Sequence, residues 1–109
     1  MFIHHMMKKK DWECLERKSK LLKAIANPLR LGVVELLTTH ESLSVSELAK
    51  RLNCEQSLLS HNLSGMKKLG ILNADKSGQT VYYQLKERSF IPVIKSISDC
   101  DCNLLAQEA

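Results

Sequence analysis

The chain has 109 residues, 44% of them hydrophobic and 26% charged, with a formal net charge of +4. This length holds one modest hydrophobic core, and the composition is that of an ordinary soluble globular protein. No apolar run reaches the roughly 20 residues that span a bilayer and the start, MFIHHMMKKK, lacks the order of a secretory signal, so we expect a cytoplasmic protein without a membrane partner.

Charge and cysteine are unevenly placed along the chain. Residues 8–30 hold eight basic and three acidic residues, whereas residues 99–109 hold three acids and no base. A basic front end fits contact with nucleic acid in that region, and it fits simple solubility equally well. The four cysteines do not indicate a disulfide framework in a chain without a secretion signal.

Two helices are predicted in the first third of the chain. Apolar residues at helical spacing predict a first helix over residues 11–26, and they are Trp12, Leu15, Leu22 and Ile25. Asn27 before Pro28 ends the first helix and caps the next one, in which Pro28 lies in the first turn. A second helix therefore begins here and extends to about Leu37. Its predicted core side holds Leu29, Val33, Leu36 and Leu37.

A short helix, a turn and a longer helix follow the polar loop TTHES. Ser44 or Ser46 can cap a short helix over residues 47–52, and a tight turn follows it. The next helix runs from about Glu55 to Gly70, where the glycine is a C-cap. This order is the spacing of a helix-turn-helix.

The last third of the chain changes its periodicity. In ILNADKSGQTVYYQL the apolar period falls from 3.6 to 2, and KSGQ has turn chemistry, which predicts a β-hairpin. A last helix then covers about residues 89–100, with Pro92 in its first turn. The predicted fold is mainly α with a small hairpin, in the order α-α-α-α-β-β-α of a winged helix-turn-helix, within one domain of residues 1–109.

The helix predicted over residues 55–70 has two different sides. Leu59, Leu63 and Met66, with Leu58 beside them, form a core stripe. The opposite side is short, polar and uncharged, and consists of Gln56, Ser57, Ser60, His61 and Ser64. Such side chains let a helix approach base edges in the major groove, where Gln binds adenine and Ser reaches either kind of pair. The pattern predicts a DNA-binding face, and a solvated surface helix is the alternative it leaves open.

Further DNA contacts are predicted around this face. Lys67 and Lys68 lie at the end of the same helix, and Lys76, Gln79 and Thr80 lie in the hairpin. Lysines that pair with phosphates fix the register of a protein on DNA without reading its sequence. For each lysine taken singly, a solvated surface position explains the residue as well.

Five segments together resemble the ArsR/SmtB family of bacterial winged-helix repressors: LLKAIANPLRLGVVELL, LSVSELAKRLN, QSLLSHNL, LGIL and SGQTVYYQL. The resemblance covers residues 20–86. It implies a homodimer built from the first and last helices, which presents two DNA-reading helices to a pseudo-palindromic operator in double-stranded DNA. It also implies a ligand, often a metal ion or metalloid, that lowers DNA affinity. Two-fold symmetry would place the half-sites about 10–10.5 bp apart, or a multiple of that.

The chain departs from the family pattern in its DNA-reading helix. That helix usually runs Ser-x-Ser-x-Val-Ser-x-His-Leu, and here Leu59 replaces the Val while Asn62 stands where the His is expected. His61 lies one position early, so the family's His role is not carried over to it. The operator sequence therefore stays open.

The places of the family's ligand sites are also altered. The Cys-x-Cys at the start of the short helix reads Ser44-Val45-Ser46 here, and hydroxyls are poor ligands for soft metals. The other places that the resemblance implies carry Glu87, Ser89 and Cys100 for an acid and His site, and Glu35 for a thiol pair. None of these sets is complete.

The tail sequence SDCDC is the remaining candidate for a ligand site. Cys100 and Cys102 would point about 200° apart on a helix, so they share an ion only if the helix ends near Asp99. In a dimer of the family type, Cys14 could lie near the partner's tail, and the three thiolates would suit a trivalent arsenic species or a soft divalent ion. A response to redox state, or three incidental cysteines and no ligand, are the alternatives.

Two other groups have plainer interpretations. Cys54 lies in the predicted turn, where a small buried side chain is expected, so we interpret it as structural. His4 and His5 could join a metal site.

Other functional classes are less well supported by the sequence. It contains no Gly-rich phosphate loop, no His-Glu-x-x-His and no nucleophile with a matching base, so we predict that the chain is not an enzyme. A winged helix that binds a protein is the remaining rival. An exposed apolar groove would favour it, whereas the short polar face favours DNA.

Overall fold

The computed structural model describes residues 7–98, which form five helices and a three-stranded antiparallel sheet. The elements are α1 (Lys9–Ala24), α2 (Pro28–Thr39), β1 (Leu43–Ser44), α3 (Val45–Leu52), α4 (Gln56–Lys68), β2 (Leu72–Ser77), β3 (Thr80–Leu85) and α5 (Phe90–Ser98). The predicted order of helices and hairpin is confirmed. The strand β1 was not predicted, and it adds a third strand by pairing Leu43 with Tyr83 and Ser44 with Tyr82 of β3.

Side-chain caps begin α2 and α3. The Asn27 Oδ1 accepts a hydrogen bond from the Arg30 N–H at 2.9 Å, and Pro28 occupies the first helical position. At α3 the Ser44 Oγ accepts from the Glu47 N–H at 3.1 Å, while the Glu47 carboxylate accepts from the Ser44 N–H at 2.9 Å. Ser44 is therefore the cap, and α3 begins two residues earlier than predicted.

Residues with a left-handed backbone conformation follow α3, α4 and β2. Asn53, with φ of 52°, closes α3, and Gly70, with φ of 82°, follows α4. In the hairpin Ser77 pairs with Thr80, so Gly78 and Gln79 form a two-residue turn in which Gly78 has φ of 64°. These residues set the direction in which the chain enters α4 and the hairpin.

Replacing Ser44 with Ala should lower the free energy of unfolding by about 1 kcal/mol, because the cap of α3 is lost. The pKa of Glu47 is held below its ordinary value by the Ser44 backbone N–H and then by the Ser44 hydroxyl. Since that pKa is lower in the folded chain, this stabilisation is present above the ordinary value of 4.5 and is lost as pH falls through the folded value.

Thermal melts over a range of pH measure both the loss of stability in Ser44→Ala and its dependence on pH. Because Ala keeps the backbone N–H of residue 44, the difference in stability between wild type and Ser44→Ala should narrow below pH 4.5 only by the part that the Ser44 hydroxyl contributes. Ser46→Ala is the matched control, because Ser46 is exposed inside α3 and caps nothing. Equal losses from the two substitutions would contradict the assignment of the cap.

The hydrophobic core lies where α2, α3 and α4 meet the sheet and α5. Its fully buried side chains are Leu48, Leu59, Leu63, Met66, Ile71, Leu72, Val33 and Val34. The predicted stripe of α4 is confirmed, but the prediction for Leu58 is wrong, since 54% of this side chain is exposed. Leu58 lies about 100° around the helix from Leu59, which moves it from the core side to a flank.

The burial of side chains in α1 and α2 agrees less closely with the predictions. In α2, Val33 and Leu37 are buried as predicted, whereas Leu29 and Leu36 are only half-buried. In α1 the buried residue is Ala24, while Trp12 and Leu22 are 56% and 52% exposed. Most of α1 therefore has no packing partner within the described chain. A helix of 16 residues is only marginally stable in water without a surface to pack against. Between residues 7 and 98, no helix is both long and apolar enough to cross a membrane.

Candidate nucleic-acid interface

The turn between α3 and α4 fixes the angle between the two helices. Asn53 takes the left-handed conformation, and the Cys54 N–H donates to the Ala49 carbonyl oxygen at 3.0 Å. The Cys54 side chain is half-buried and packs against the core, in keeping with its interpretation as a structural residue. Glu55 is the N-cap residue of α4. The reading helix therefore leaves the turn with its first residues at the surface.

All five residues of the predicted DNA-binding face are exposed on one side of α4. This set, which we call the reading face, consists of Gln56, Ser57, Ser60, His61 and Ser64. Leu59, Leu63 and Met66 on the other side are fully buried and hold the helix in the core. The Ser57 hydroxyl donates to the Glu55 Oε1 at 2.6 Å, and the remaining four side chains form no hydrogen bond with any described residue. They are free to bind an external partner.

The other predicted contacts lie at two neighbouring places. Lys67 and Lys68 are exposed in the last turn of α4. Lys76, Gln79 and Thr80 are exposed at the tip of the hairpin. The hairpin is tied to the end of α4 because the Ile71 carbonyl oxygen accepts from the backbone N–H of Lys86 at 2.8 Å and of Glu87 at 3.1 Å. These two bonds join the base of the hairpin, where β2 begins and β3 ends, to the residue that follows Gly70 at the end of α4.

Three residues important to this surface were missed from the sequence. The Arg30 Nε donates to the Asn62 Oδ1 at 2.9 Å, and its Nη1 donates to the Ala24 carbonyl oxygen at 3.1 Å. Gly65 lies beside the same guanidinium. Arg30 and Asn62 are 32 residues apart, so no local pattern links them. The signals available in the sequence were an Arg among the apolar residues of α2 and a Gly inside α4.

The predicted metal ligands are only partly within the described residues. Cys14 is exposed on α1, in a shallow depression that it shares with Met7, Asp11, Leu15 and Lys18. Cys100 and Cys102 lie outside the described residues, as do His4 and His5. In the part of the chain that the structure covers, no group of three or more His, Cys, Asp or Glu side chains could hold a metal ion. Among the described residues, Cys14 therefore belongs to no such group.

Comparison with known proteins places this arrangement among transcription factors. Residues 25–74 match a family model described as a helix-turn-helix domain. The transcriptional activator HlyU of Vibrio cholerae is 39% identical over 82 residues, which are 75% of each protein. The solved structure of reduced HlyU from Vibrio cholerae has a TM-score of 0.77 and 32% identity, covering 86% of this chain and 100% of that one.

Two repressors are also similar to this chain. The transcriptional repressor PagR of Bacillus anthracis is 30% identical over 98 residues, covering 90% of this chain and 95% of PagR. The transcriptional repressor SmtB of Mycobacterium tuberculosis is 30% identical over 82 residues, covering 75% of this chain and 60% of SmtB. Because these relatives are regulators and not enzymes, the prediction that the chain is not an enzyme is confirmed. The chain belongs to the ArsR/SmtB family of winged helix-turn-helix transcriptional regulators.

Proposed function

We propose that this regulator is a cytoplasmic homodimeric repressor that binds a pseudo-palindromic operator through α4 and is released by a ligand. The observation that carries the proposal is the contrast between the two sides of α4. One side is fully buried in the core, while the other presents only short, uncharged, hydrogen-bonding side chains. A helix of this kind fits the width of the major groove and can hydrogen-bond to base edges.

Binding to protein is the rival function, and it needs apolar surface on α4. The exposed large apolar side chains of this region are Leu58 and Leu69, which lie on one flank of the helix. The reading face itself contains none. Lys67 and Lys68 add positive charge at the end of the helix that carries the reading face, and this charge suits phosphate and offers nothing to an apolar partner.

Dimer formation is supported by the apolar side chains that α1 and α5 expose. Among the described residues, six of the eight exposed large hydrophobic side chains lie on or beside these two helices, namely Met7, Trp12, Leu15, Leu22, Val93 and Ile97. A second copy related by a two-fold axis would cover the same patch on both chains. It would also supply the packing surface that α1 lacks.

Repression is the direction of control that most of these relatives support, since PagR and SmtB are repressors while HlyU is an activator. A dimer bound to two half-sites blocks the DNA it covers without any further contact. Selection from a random duplex library with the full chain tests the proposal. We expect an enriched inverted repeat with half-sites about one helical turn, or a multiple, apart. Recovery of unrelated sequences would contradict sequence-specific binding.

The release step is proposed to use Cys14, Cys100 and Cys102 as soft thiolate ligands for a metalloid or metal ion. We expect arsenite or cadmium to lower DNA affinity at least tenfold in the wild type, and to have no effect on a Cys100→Ser/Cys102→Ser variant. Operator affinity should be titrated against arsenite, cadmium, zinc, nickel, copper and a persulfide donor.

Cys54→Ser is the matched control, since Cys54 packs against the core and should leave the response unchanged. A response that only the persulfide donor produces, and that a reductant reverses, would replace the metal proposal by a redox one. An unchanged response in the double variant would exclude the tail cysteines.

A further inference from the structure

Arg30 joins three parts of the molecule. Its backbone N–H donates to Asn27 at the start of α2, its Nη1 donates to the carbonyl oxygen of Ala24 at 3.1 Å, and its Nε donates to Asn62 at 2.9 Å. Ala24 is the last residue of α1, and Asn62 is in the middle of α4. A guanidinium is a rigid planar fork of donors, so two bonds from it hold both partners in a set geometry.

Asn62 uses both ends of its side chain within the protein. Its Oδ1 accepts from Arg30, and its Nδ2 donates to the Leu58 carbonyl oxygen at 3.0 Å. Arg30 is only a donor, so the amide oxygen must face it. The side chain is half-buried, whereas His61 beside it is exposed. Asn62 therefore positions α4 and does not belong to the reading face.

The absence of a side chain at Gly65 leaves space for the Arg30 guanidinium. A Cβ at position 65 would lie 2.9 Å from the Arg30 Nη2, which is too close without a shift of the side chain. Gly in a helix interior is less favourable than Ala. Its presence here is explained by space for Arg30, because Gly65 does not have a positive φ.

These contacts connect the two working surfaces of the proposed dimer. α1 carries exposed apolar residues that a second copy would cover, and α4 carries the reading face. Apolar packing of α2 against α4 has no strong directionality. Two hydrogen bonds from one guanidinium do, and they fix the rotation of α4 relative to the end of α1.

We propose that Arg30 and Asn62 are positioning residues that set which half-site spacing the dimer accepts on DNA. The inference rests on the proposed function, since it needs two reading helices held by one dimer. With the pair in place, each α4 has one orientation relative to the two-fold axis, and a shift of one base pair moves a half-site out of register. Without the pair, α4 can rotate and follow neighbouring spacings.

The test measures affinity for operator duplexes whose half-sites are moved by one or two base pairs. The affinity of the wild type for each shifted duplex should be about tenfold or more below its affinity for the operator, because one half-site is then misread. Asn62→Leu removes the acceptor, and Gly65→Ala displaces the guanidinium. For both variants we expect affinities within about threefold of one another across the series.

Two further variants separate positioning from reading and from folding. Asn62→Asp keeps the acceptor for Arg30, so it should keep the wild-type spacing profile even if the added charge lowers every affinity. Ser60→Ala should lower all affinities by one factor and leave the profile unchanged. Thermal melts should show that both variants stay folded at the temperature of the binding assay, and in Gly65→Ala the higher helix propensity of Ala offsets part of the loss of the two Arg30 hydrogen bonds.

A wild-type profile in both Asn62→Leu and Gly65→Ala would overturn this inference and leave the proposed function standing. A wild-type protein that accepts every spacing equally would overturn it as well. If the wild type binds a scrambled duplex without half-sites as tightly as the operator, the proposed function itself fails.

Discussion

Ser60→Glu should reduce operator affinity to the level of non-specific binding, a loss on the order of a thousandfold or more. Ser60 is exposed in the middle of the reading face, and its side chain forms no hydrogen bond with the described residues. A carboxylate there would meet base edges and phosphates in the major groove, where it is repelled and cannot be solvated freely. Glu is a good helix former, so the fold should change in stability by no more than about 0.5 kcal/mol.

Ser42→Glu is the matched control for this substitution. It adds the same charge in the exposed loop before β1, where the Ser42 hydroxyl accepts a hydrogen bond from the Gln84 Nε2 at 3.1 Å, so circular dichroism must show that this variant is also folded. Its operator affinity should stay close to the wild-type value. This result would show that the change in net charge alone does not cause the loss of affinity in Ser60→Glu. Fluorescence anisotropy on the selected duplex, with circular dichroism for folding, gives both measurements. Binding by Ser60→Glu within threefold of wild type would exclude α4 as the reading helix.

Leu15→Glu/Leu22→Glu should give a folded monomer with operator affinity reduced about a hundredfold or more, because the advantage of binding two half-sites together is lost. Both leucines are exposed on α1 in the single chain, so Glu costs little there. In the dimer the same positions would be covered, and an unpaired carboxylate would have to be buried. Helix content should also fall, since α1 loses its partner.

Sedimentation equilibrium at several concentrations tests the dimer prediction. Leu15→Met/Leu22→Met keeps the apolar character of both positions and should remain dimeric. A wild-type protein that is monomeric at concentrations where it saturates the operator would contradict the proposed interface. So would a Glu double variant that still dimerises.

The parts of the fold that local chemistry controls could be predicted from the sequence. Asn27 caps α2, Gly70 ends α4 and the turn of the hairpin falls at Gly78, as expected from residue type and spacing. The buried stripe of α4 was predicted because three large apolar residues recur at helical intervals. In each case the information lies within a few neighbouring residues.

The remaining features depend on distant residues or on another molecule. β1 has two residues, too few for a strand period to appear, and it exists because β3 offers it a partner. The bond between Arg30 and Asn62 joins positions 32 residues apart. Leu58 was assigned to the core because it is beside Leu59 in the sequence, but it lies on a flank of α4 that the neighbouring elements leave exposed.

The candidate site divides in the same way. Helical spacing was enough to place the five reading-face residues on one side of α4, and all are exposed there. The residues that hold that face in position, Arg30 and Gly65, act through a contact between helices. An Arg in an apolar helix and a Gly inside another helix mark the two positions, but a pattern read one helix at a time does not show that these positions meet.

One titration tests the central claim most directly. The full chain is titrated onto the selected operator and onto a scrambled duplex of equal length and composition, at about 0.15 M salt, with stoichiometry measured at saturation. We predict two chains per duplex and an operator affinity at least about a thousandfold higher than that for the scrambled duplex. Equal affinities for the two duplexes, or one chain per duplex at saturation, would contradict a dimeric sequence-specific regulator.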